Sequence, residues 1–193
     1  MPKALKIGIT GLPQAGKTDI LLRVIGMLES EGIKVGGMIT EAILDGGKRV
    51  GFNIMDWETK EKDVMAHKDI ETETSRMRVE DYGVNVEAIE RIGVPAIMNA
   101  IENADVIVID EIGRMEVLSP AFVEAVKETF DMDKPLIITL HKKSRNPLLQ
   151  DIRRRDDVRI LEVTPINQSI LPYKIVKLVK EELDNLGLLN NGK

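Results

Sequence analysis

One short stretch, GITGLPQAGKTDILL at residues 8–22, constrains the fold of this chain more than any other part of it. It matches the pattern G-x-x-x-x-G-K-[ST] at 11–18, between an apolar run at 4–10 and a leucine-rich run that starts at Lys17. The apolar run predicts a buried strand, and the later run has apolar residues at helical spacing as far as about Glu31. A strand, a glycine-rich turn and a helix in this order are typical of the first βα unit of an α/β fold that binds phosphate at the turn.

The residue types in the turn suit a bound polyphosphate. Glycine permits unusual dihedrals and close approach to a ligand, which assigns a shaping role to Gly11 and Gly16. Lys17 would reach the β- and γ-phosphates as a cation, Thr18 would offer its hydroxyl to Mg²⁺, and the helix N-terminus would add free N–H groups. An ordinary glycine-rich turn before a helix is the alternative. The predicted nucleotide-binding residues are Gly11, Leu12, Pro13, Gln14, Ala15, Gly16, Lys17 and Thr18.

A second candidate element is the acidic pair that ends the run VIVIDEI at 106–112. This run is apolar without alternation, which is typical of a central parallel strand covered on both faces. Asp110 would hold Mg²⁺, directly or through water, at the carboxyl end of that strand. Glu111 would orient or deprotonate the attacking water, so Lys17 and Glu111 are the predicted catalytic residues. The alternatives are a solvated acid at Asp110 and a purely structural acid at Glu111.

The remaining sequence predicts an α/β fold of three layers with a mainly parallel central sheet. Two segments are less regular: 68–82 is predicted to be a surface loop, and 84–104 to be mostly helical, with Pro95 either breaking the helix or starting a turn. Other strands are predicted at 33–43, 48–57, 62–67, 135–141 and 158–164, and helices at 119–130, 146–155 and 166–187. The turn residues at 45–47 predict an antiparallel hairpin over 37–56 as an embellishment of the sheet. We expect a single domain over 1–187 and a frayed tail at 188–193.

Composition excludes several classes of function. The 193 residues include no cysteine, which excludes disulfides, thiolate metal sites and cysteine nucleophiles. The formal net charge of −5 argues against nucleic-acid binding driven by bulk charge, although a local basic patch stays open. No apolar run approaches the ~18 residues that a membrane span needs, and the N-terminus lacks a signal-peptide pattern. We therefore expect a cytoplasmic protein that does not bind membranes; the sequence does not fix its oligomeric state.

Several segments, taken together, resemble one known family. GLPQAGKT, MITEAI, GGKRVGFNIMD, DVIVIDEIGRMEVLSPAF and LHKKSRNPLLQDIRRRDDVRILEVTPIN are similar, in this order, to the archaeal and bacterial THEP1-type nucleoside-triphosphatases. The resemblance covers about 4–175, and the extended IDEIGRME is its most selective part. It implies a P-loop NTPase fold, a nucleoside triphosphate as substrate, and hydrolysis of ATP, and often of other nucleoside triphosphates, to diphosphate and phosphate.

The sequence departs from the family pattern at Gln14, where the family usually has glycine. The general phosphate-loop pattern leaves this position free, so we expect binding to survive. The sequence leaves open whether the departure changes the geometry of the loop or the turnover rate.

Three further residues are candidates for contact with the reacting phosphate. Arg114 could offset charge in the transition state or form a surface ion pair with Glu116 or another neighbour. His141, at the end of the strand PLIITLH, could sense the γ-phosphate or the water, or be an ordinary strand-end histidine. Arg145 could stabilise charge. The arginine triplet at 153–155 either complements a helix dipole on a solvated face or contacts phosphate or nucleic acid.

Two other functions stay open on the sequence alone. A small P-loop nucleotide or nucleoside kinase would share the size and the phosphate loop, with 142–155 as its only candidate lid. A nucleotide-dependent, RNA-associated module with negligible turnover would use KKSR at 142–145 together with the arginine triplet.

Overall fold

The computed structural model of the chain describes residues 4–71 and 77–189, and a mixed sheet of nine strands runs through that part. The strands are β1 (Lys6–Gly11), β2 (Val35–Asp45), β3 (Lys48–Asp56), β4 (Lys62–His67), β5 (Arg78–Val79), β6 (Tyr82–Val84), β7 (Val106–Ile112), β8 (Leu136–His141) and β9 (Val158–Glu162). The helices are α1 (Lys17–Ser30), α2 (Val86–Ala88), α3 (Val94–Asn103), α4 (Pro120–Thr129), α5 (Pro147–Arg154) and α6 (Leu171–Asn185). A π-helical turn, Ile89–Gly93, joins α2 to α3, and a 3₁₀ turn, Glu116–Leu118, precedes α4.

The strand order is β5-β6-β4-β3-β2-β7-β8-β1-β9. Neighbouring strands are parallel along β2-β7-β8-β1-β9. Neighbouring strands are antiparallel along β5-β6-β4-β3-β2. We refer to β3–β6 as the antiparallel extension. All carboxyl ends of the parallel strands lie at one edge of the sheet, so β1, β7 and β8 deliver their last residues to the same place.

The central strands are buried on both faces because both sets of alternating side chains are apolar. In β7, Val106 and Val108 pack in a cluster with α1 and α6, whereas Ile107 and Ile109 pack in a second cluster with α3, α4 and α5. All four side chains are fully buried. Helices therefore cover both faces, which confirms the predicted three-layer α/β architecture.

The antiparallel part of the sheet is larger than the predicted hairpin. The hairpin of β2 and β3 is present, and so is the strand at 62–67, but the predicted loop at 68–82 also contains the edge strand β5 and the first residue of β6, Tyr82. The prediction was wrong there because these strands are very short: β6 forms by pairing with β4, and β5 by pairing with β6. Residues 72–76 of that segment lie outside the described residues.

Prolines lie in the first turn of α3 and of α6. Pro95 is in the first turn of α3, directly after the π-helical turn, so of the two predicted roles it starts a helical turn rather than breaking the helix. The last helix begins at Leu171 rather than at 166, with Pro172 in its first turn, where a missing N–H costs nothing. The predicted frayed tail, 188–193, lies beyond residue 189 for the most part, outside the described residues. Between residues 4 and 189, as far as they are described, no helix is both long and apolar enough to cross a membrane.

Candidate functional site

The phosphate loop, residues 11–18, joins the carboxyl end of β1 to the amino end of α1. β1 ends at Gly11 and α1 begins at Lys17, as the sequence predicts. Gly16 has φ of 91°, a left-handed conformation that glycine adopts without strain. The segment between them turns tightly, with the Ala15 N–H donating to the Leu12 carbonyl at 3.0 Å. The predicted loop residues thus form one connected turn at the N-terminus of a fourteen-residue helix.

Gln14 shows what its departure from the family pattern means for the backbone. Its φ is 65°, also in the left-handed region. A residue with a Cβ pays about 1–2 kcal/mol for this conformation, whereas glycine does not. The loop therefore keeps the shape that glycine would favour while carrying a glutamine.

Lys17 is nearly buried, with 8% of its surface exposed. Its ammonium group forms an ion pair with Glu111 Oε2 at 3.1 Å and donates to the Leu140 carbonyl at 3.3 Å. Leu140 lies in β8 and Glu111 in β7, so the two neighbouring strands hold the lysine head at the edge of the sheet. The two residues predicted to be catalytic are thus in direct contact.

Asp110 is buried and accepts two hydroxyl hydrogen bonds. Thr139 donates to Oδ1 at 2.6 Å, and Thr18 donates to Oδ2 at 2.9 Å. Burial raises the pKa of Asp110 to about 6; the nearby Glu111 raises it as well, while the two threonine hydroxyls and Lys17 lower it. Thr139 was not singled out in the sequence, although a polar residue inside the buried run LIITLH was a signal that could have found it.

The Thr18–Asp110 pair fits the ligand preference of Mg²⁺. Hydroxyl and carboxylate oxygens are hard donors, and Mg²⁺ bound to nucleotide phosphates typically takes only one or two protein oxygens, with waters completing its octahedron. Their separation of 2.9 Å brings both oxygens to one point beside the phosphate loop. No group of three or more histidine, aspartate or glutamate side chains among the described residues forms a separate metal cage. The donor set therefore suits a magnesium ion shared with phosphates rather than a stand-alone metal centre.

A third carboxyl group, that of Glu116, lies beside the acidic pair and was missed as a site residue. Glu116 is 4% exposed, and its Oε2 accepts the Gly113 N–H at 3.2 Å. Burial raises the pKa of Glu116 well above its usual range, and Glu111 raises it further. The available signal was the glycine three residues earlier, which lets an acid in the following turn approach the backbone.

His141 and Arg114 lie near Glu111, at the rim of the site. Burial lowers the pKa of His141, while the charge of Glu111 raises it and the charges of Arg114 and Lys17 lower it. Arg114 forms an ion pair, but with Glu80 in the β5–β6 turn rather than with Glu116. Of the two interpretations of Arg114, the structure shows the ion pair.

Arg145 and the arginine triplet have different surroundings. Arg145 is exposed on the segment 142–146, which we call the β8–α5 loop, and no ion pair to it occurs in the described part of the chain. Arg153 donates to the carbonyls of His141, Lys142 and Ser144. Arg155 forms a bidentate pair with Asp157 at 2.8 Å and lies over the Phe130 ring.

These contacts bear on the kinase and RNA alternatives. Arg153 and Arg155 are occupied within the chain, and Lys142 is paired with Glu162. The candidate lid at 142–155 contains α5, whose Leu148, Leu149 and Ile152 are buried against the sheet. Neither a mobile arginine-rich lid nor a continuous free basic patch is visible there.

The family model and the curated proteins similar to this chain indicate the same family. A family model described as NTPase matches residues 6–176. The nucleoside-triphosphatase THEP1 of Thermoplasma volcanium is 41% identical over 179 residues, covering 93% of this chain and 99% of that protein. The protein of the same name from Thermoplasma acidophilum is 40% identical over 182 residues, covering 94% and 99%.

Two solved structures share the fold along nearly their whole length. The crystal structure of THEP1 from the hyperthermophile Aquifex aeolicus has a TM-score of 0.79 and 32% identity, covering 91% of this chain and 99% of that one. The solution structure of a human cancer-related nucleoside triphosphatase has a TM-score of 0.77 and 30% identity, covering 92% and 98%. Sequence match, shared fold and an intact phosphate loop agree, so the chain belongs to the THEP1-type nucleoside-triphosphatase family of P-loop NTPases.

Proposed function

We propose that this nucleoside-triphosphatase hydrolyses ATP and other nucleoside triphosphates to diphosphate and phosphate in a Mg²⁺-dependent reaction at the phosphate loop. Nucleoside-triphosphatase activity itself follows from the family. One observation carries the finer assignment: the Lys17–Glu111 ion pair at 3.1 Å and the Thr18–Asp110 hydrogen bond at 2.9 Å lie at the same edge of the sheet.

The phosphate loop supplies the binding energy in this proposal. Backbone N–H groups of the loop and of the first turn of α1 surround the β-phosphate, and the helix N-terminus adds a positive potential. Lys17 leaves Glu111 and donates to the β- and γ-phosphates. Mg²⁺ bound by Thr18 and Asp110 would neutralise part of the phosphate charge as it develops. Most of the rate enhancement then comes from positioning and from charge stabilisation.

Glu111 positions the nucleophile. Once Lys17 has moved to the phosphates, the Glu111 carboxylate is free to accept a hydrogen bond from a water molecule in line with the γ-phosphorus. It sits at the end of β7, on the same rim as His141, and 26% of its side chain is exposed, so water reaches it.

The test is phosphate release from ATP, GTP, CTP and UTP, each with and without Mg²⁺, in buffer that contains no phosphoryl acceptor. We expect release that requires Mg²⁺. Lys17→Ala should lose nearly all turnover, since a charge-stabilising group in the transition state contributes about 10²–10³-fold or more. Glu111→Gln should bind Mg·ATP by calorimetry but lose hydrolysis.

Three results would contradict parts of the proposal. Wild-type turnover in Glu111→Gln would remove the assigned role of that residue. Phosphate transfer to an added nucleoside or nucleotide, with no release in its absence, would favour the kinase. RNA binding with a steep salt dependence and no turnover would favour the RNA-associated module.

A further inference from the structure

Glu116 is a buried acid with no cation beside it. It lies in the 3₁₀ turn between β7 and α4, and no lysine, arginine or histidine pairs with it within 4–71 or 77–189. Its charged neighbours are carboxylates, those of Glu111 and Asp110. Burying an unpaired carboxylate among like charges is costly and favours its protonated form. In that form the Glu116 carboxyl group has an O–H donor as well as an acceptor oxygen.

The backbone of Gly113 brings the Glu116 and Glu111 carboxyl groups close together. A Cβ placed on Gly113 would lie 2.8 Å from Glu111 Oε1 and 3.1 Å from Glu116 Oε2. The absence of a side chain at this position thus leaves room for both groups on the same side of the turn. Gly113 also donates its N–H to Glu116 Oε2. This hydrogen bond fixes the position of Oε2 and leaves Oε1 of the same carboxyl group available for another partner.

The partner of Glu111 changes during the proposed reaction. Glu111 Oε2 is held by Lys17 at 3.1 Å. In the proposed reaction Lys17 turns to the phosphates and Glu111 loses this cation, while its Oε1 lies beside Gly113, as Glu116 Oε2 does. A carboxylate that must direct one water molecule needs a second contact to fix its rotamer.

We infer that Glu116 is a positioning residue: its carboxyl O–H donates to Glu111 and keeps that carboxylate aimed at the attacking water once Lys17 has moved to the phosphates. The inference rests on the proposed role of Glu111 and adds a residue to it. No proton is transferred in this step, and Glu116 does not touch the substrate.

Three variants separate this role from packing and from charge. Glu116→Gln keeps the shape and an N–H donor, Glu116→Leu fills the volume without a donor, and Glu128→Leu makes the same chemical change at an exposed position of α4 as the control. We measure kcat, KM for Mg·ATP, and the affinity for Mg·ATP by calorimetry.

We expect Glu116→Gln to stay within about threefold of wild-type kcat, whereas Glu116→Leu should lose roughly 10- to 100-fold in kcat with little change in affinity. Loss of activity in Glu116→Gln equal to that in Glu116→Leu would overturn the inference, because it would mean that the charge is needed. Wild-type kcat in Glu116→Leu would overturn it as well, since packing alone would then suffice.

Gly113→Ala provides an independent test that leaves Glu116 in place. Its methyl group would push apart two flexible carboxyl groups, so the fold should persist while kcat falls. Circular dichroism and thermal unfolding check the fold of each variant. Unchanged kcat in folded Gly113→Ala would count against the inference.

Failure of the inference about Glu116 can be told apart from failure of the proposed role of Glu111. If Glu111→Gln hydrolyses ATP at the wild-type rate, the role of Glu111 is wrong and Glu116 has nothing to position. If Glu111→Gln is inactive while Glu116→Leu is fully active, only the inference about Glu116 fails. Infrared spectroscopy adds a readout independent of activity: a band of a protonated carboxyl group at neutral pH that Glu116→Gln removes.

Discussion

Gln14 is the residue at which the phosphate loop carries avoidable strain. Its φ of 65° favours glycine. Gln14→Gly should raise the free energy of unfolding by about 0.5–1 kcal/mol, because the relieved strain exceeds the extra entropy that glycine gains in the unfolded chain. Urea denaturation without nucleotide measures this. Gln150→Gly, inside α5, should instead lose about 1 kcal/mol. A lower free energy of unfolding in both variants would show that the backbone at Gln14 is not strained.

Asp110 makes the free energy of unfolding depend on pH. Its pKa of about 6 in the folded chain lies above the ordinary value of 3.8, so the folded state binds this proton more tightly than the unfolded state. Ionisation of Asp110 therefore lowers stability as pH rises from the ordinary value towards 6, and the whole cost is present above that pH.

Asp110→Asn should remove this cost while abolishing the response of activity to Mg²⁺. We expect the nucleotide-free variant to gain about 1–2 kcal/mol of stability over wild type at pH 7.5, after allowance for weakened hydroxyl hydrogen bonds. At pH 4 the gain should vanish. Urea denaturation at both pH values measures it, and an equal difference at the two would show that Asp110 is not the titrating group.

At the level of elements, Arg153 ties the β8–α5 loop to helix α5. Its guanidinium donates to three carbonyls, of His141, Lys142 and Ser144. Arg153→Leu should cost about 2 kcal/mol in stability and free the loop, because those carbonyls lose a charged donor. Limited trypsin digestion should then cut faster at Lys142, Lys143 or Arg145. Arg154→Leu, at an exposed neighbouring position, is the control and should not change the rate.

The elements that the sequence predicted are those with local signals. β1, β7 and β8 are continuous apolar runs, and α4 begins with a serine cap and a proline, so the nearby residues determine them. β5 and β6 have no such signal, because β6 pairs with β4, which lies many residues earlier in the chain, and β5 in turn pairs with β6. The phosphate loop and the acidic strand end were predictable for the same reason as β1 and β7.

The parts of the site that the sequence did not predict depend on contacts across the fold. Glu116 is one residue of a short turn, and the packing of that turn against β7 and α4 buries it. Thr139 reaches Asp110 because β7 and β8 are neighbours in the sheet. Arg114 pairs with Glu80, which no spacing in the sequence connects to it.

At the scale of the whole molecule, nucleotide binding should stabilise the entire fold, because the site joins α1 to the centre of the sheet. Saturation at 100 times the dissociation constant adds about 2.7 kcal/mol, which raises Tm by roughly 5–10 °C in a domain of this size. Glu111→Gln with Mg·ATP is the suitable sample, since turnover does not consume the ligand. Thermal unfolding measures the shift, and the double variant with Lys17→Ala should lose it. A shift that persists there would place the nucleotide elsewhere.

The ion pair between Arg114 and Glu80 connects the predicted site to a distant part of the sheet. Glu80 belongs to the outermost hairpin of the antiparallel extension, yet its charge, like that of Arg114, acts on His141 at the end of β8. We therefore expect a substitution in that hairpin, far from the phosphate loop in the sequence, to change the electrostatic field around the predicted catalytic residues.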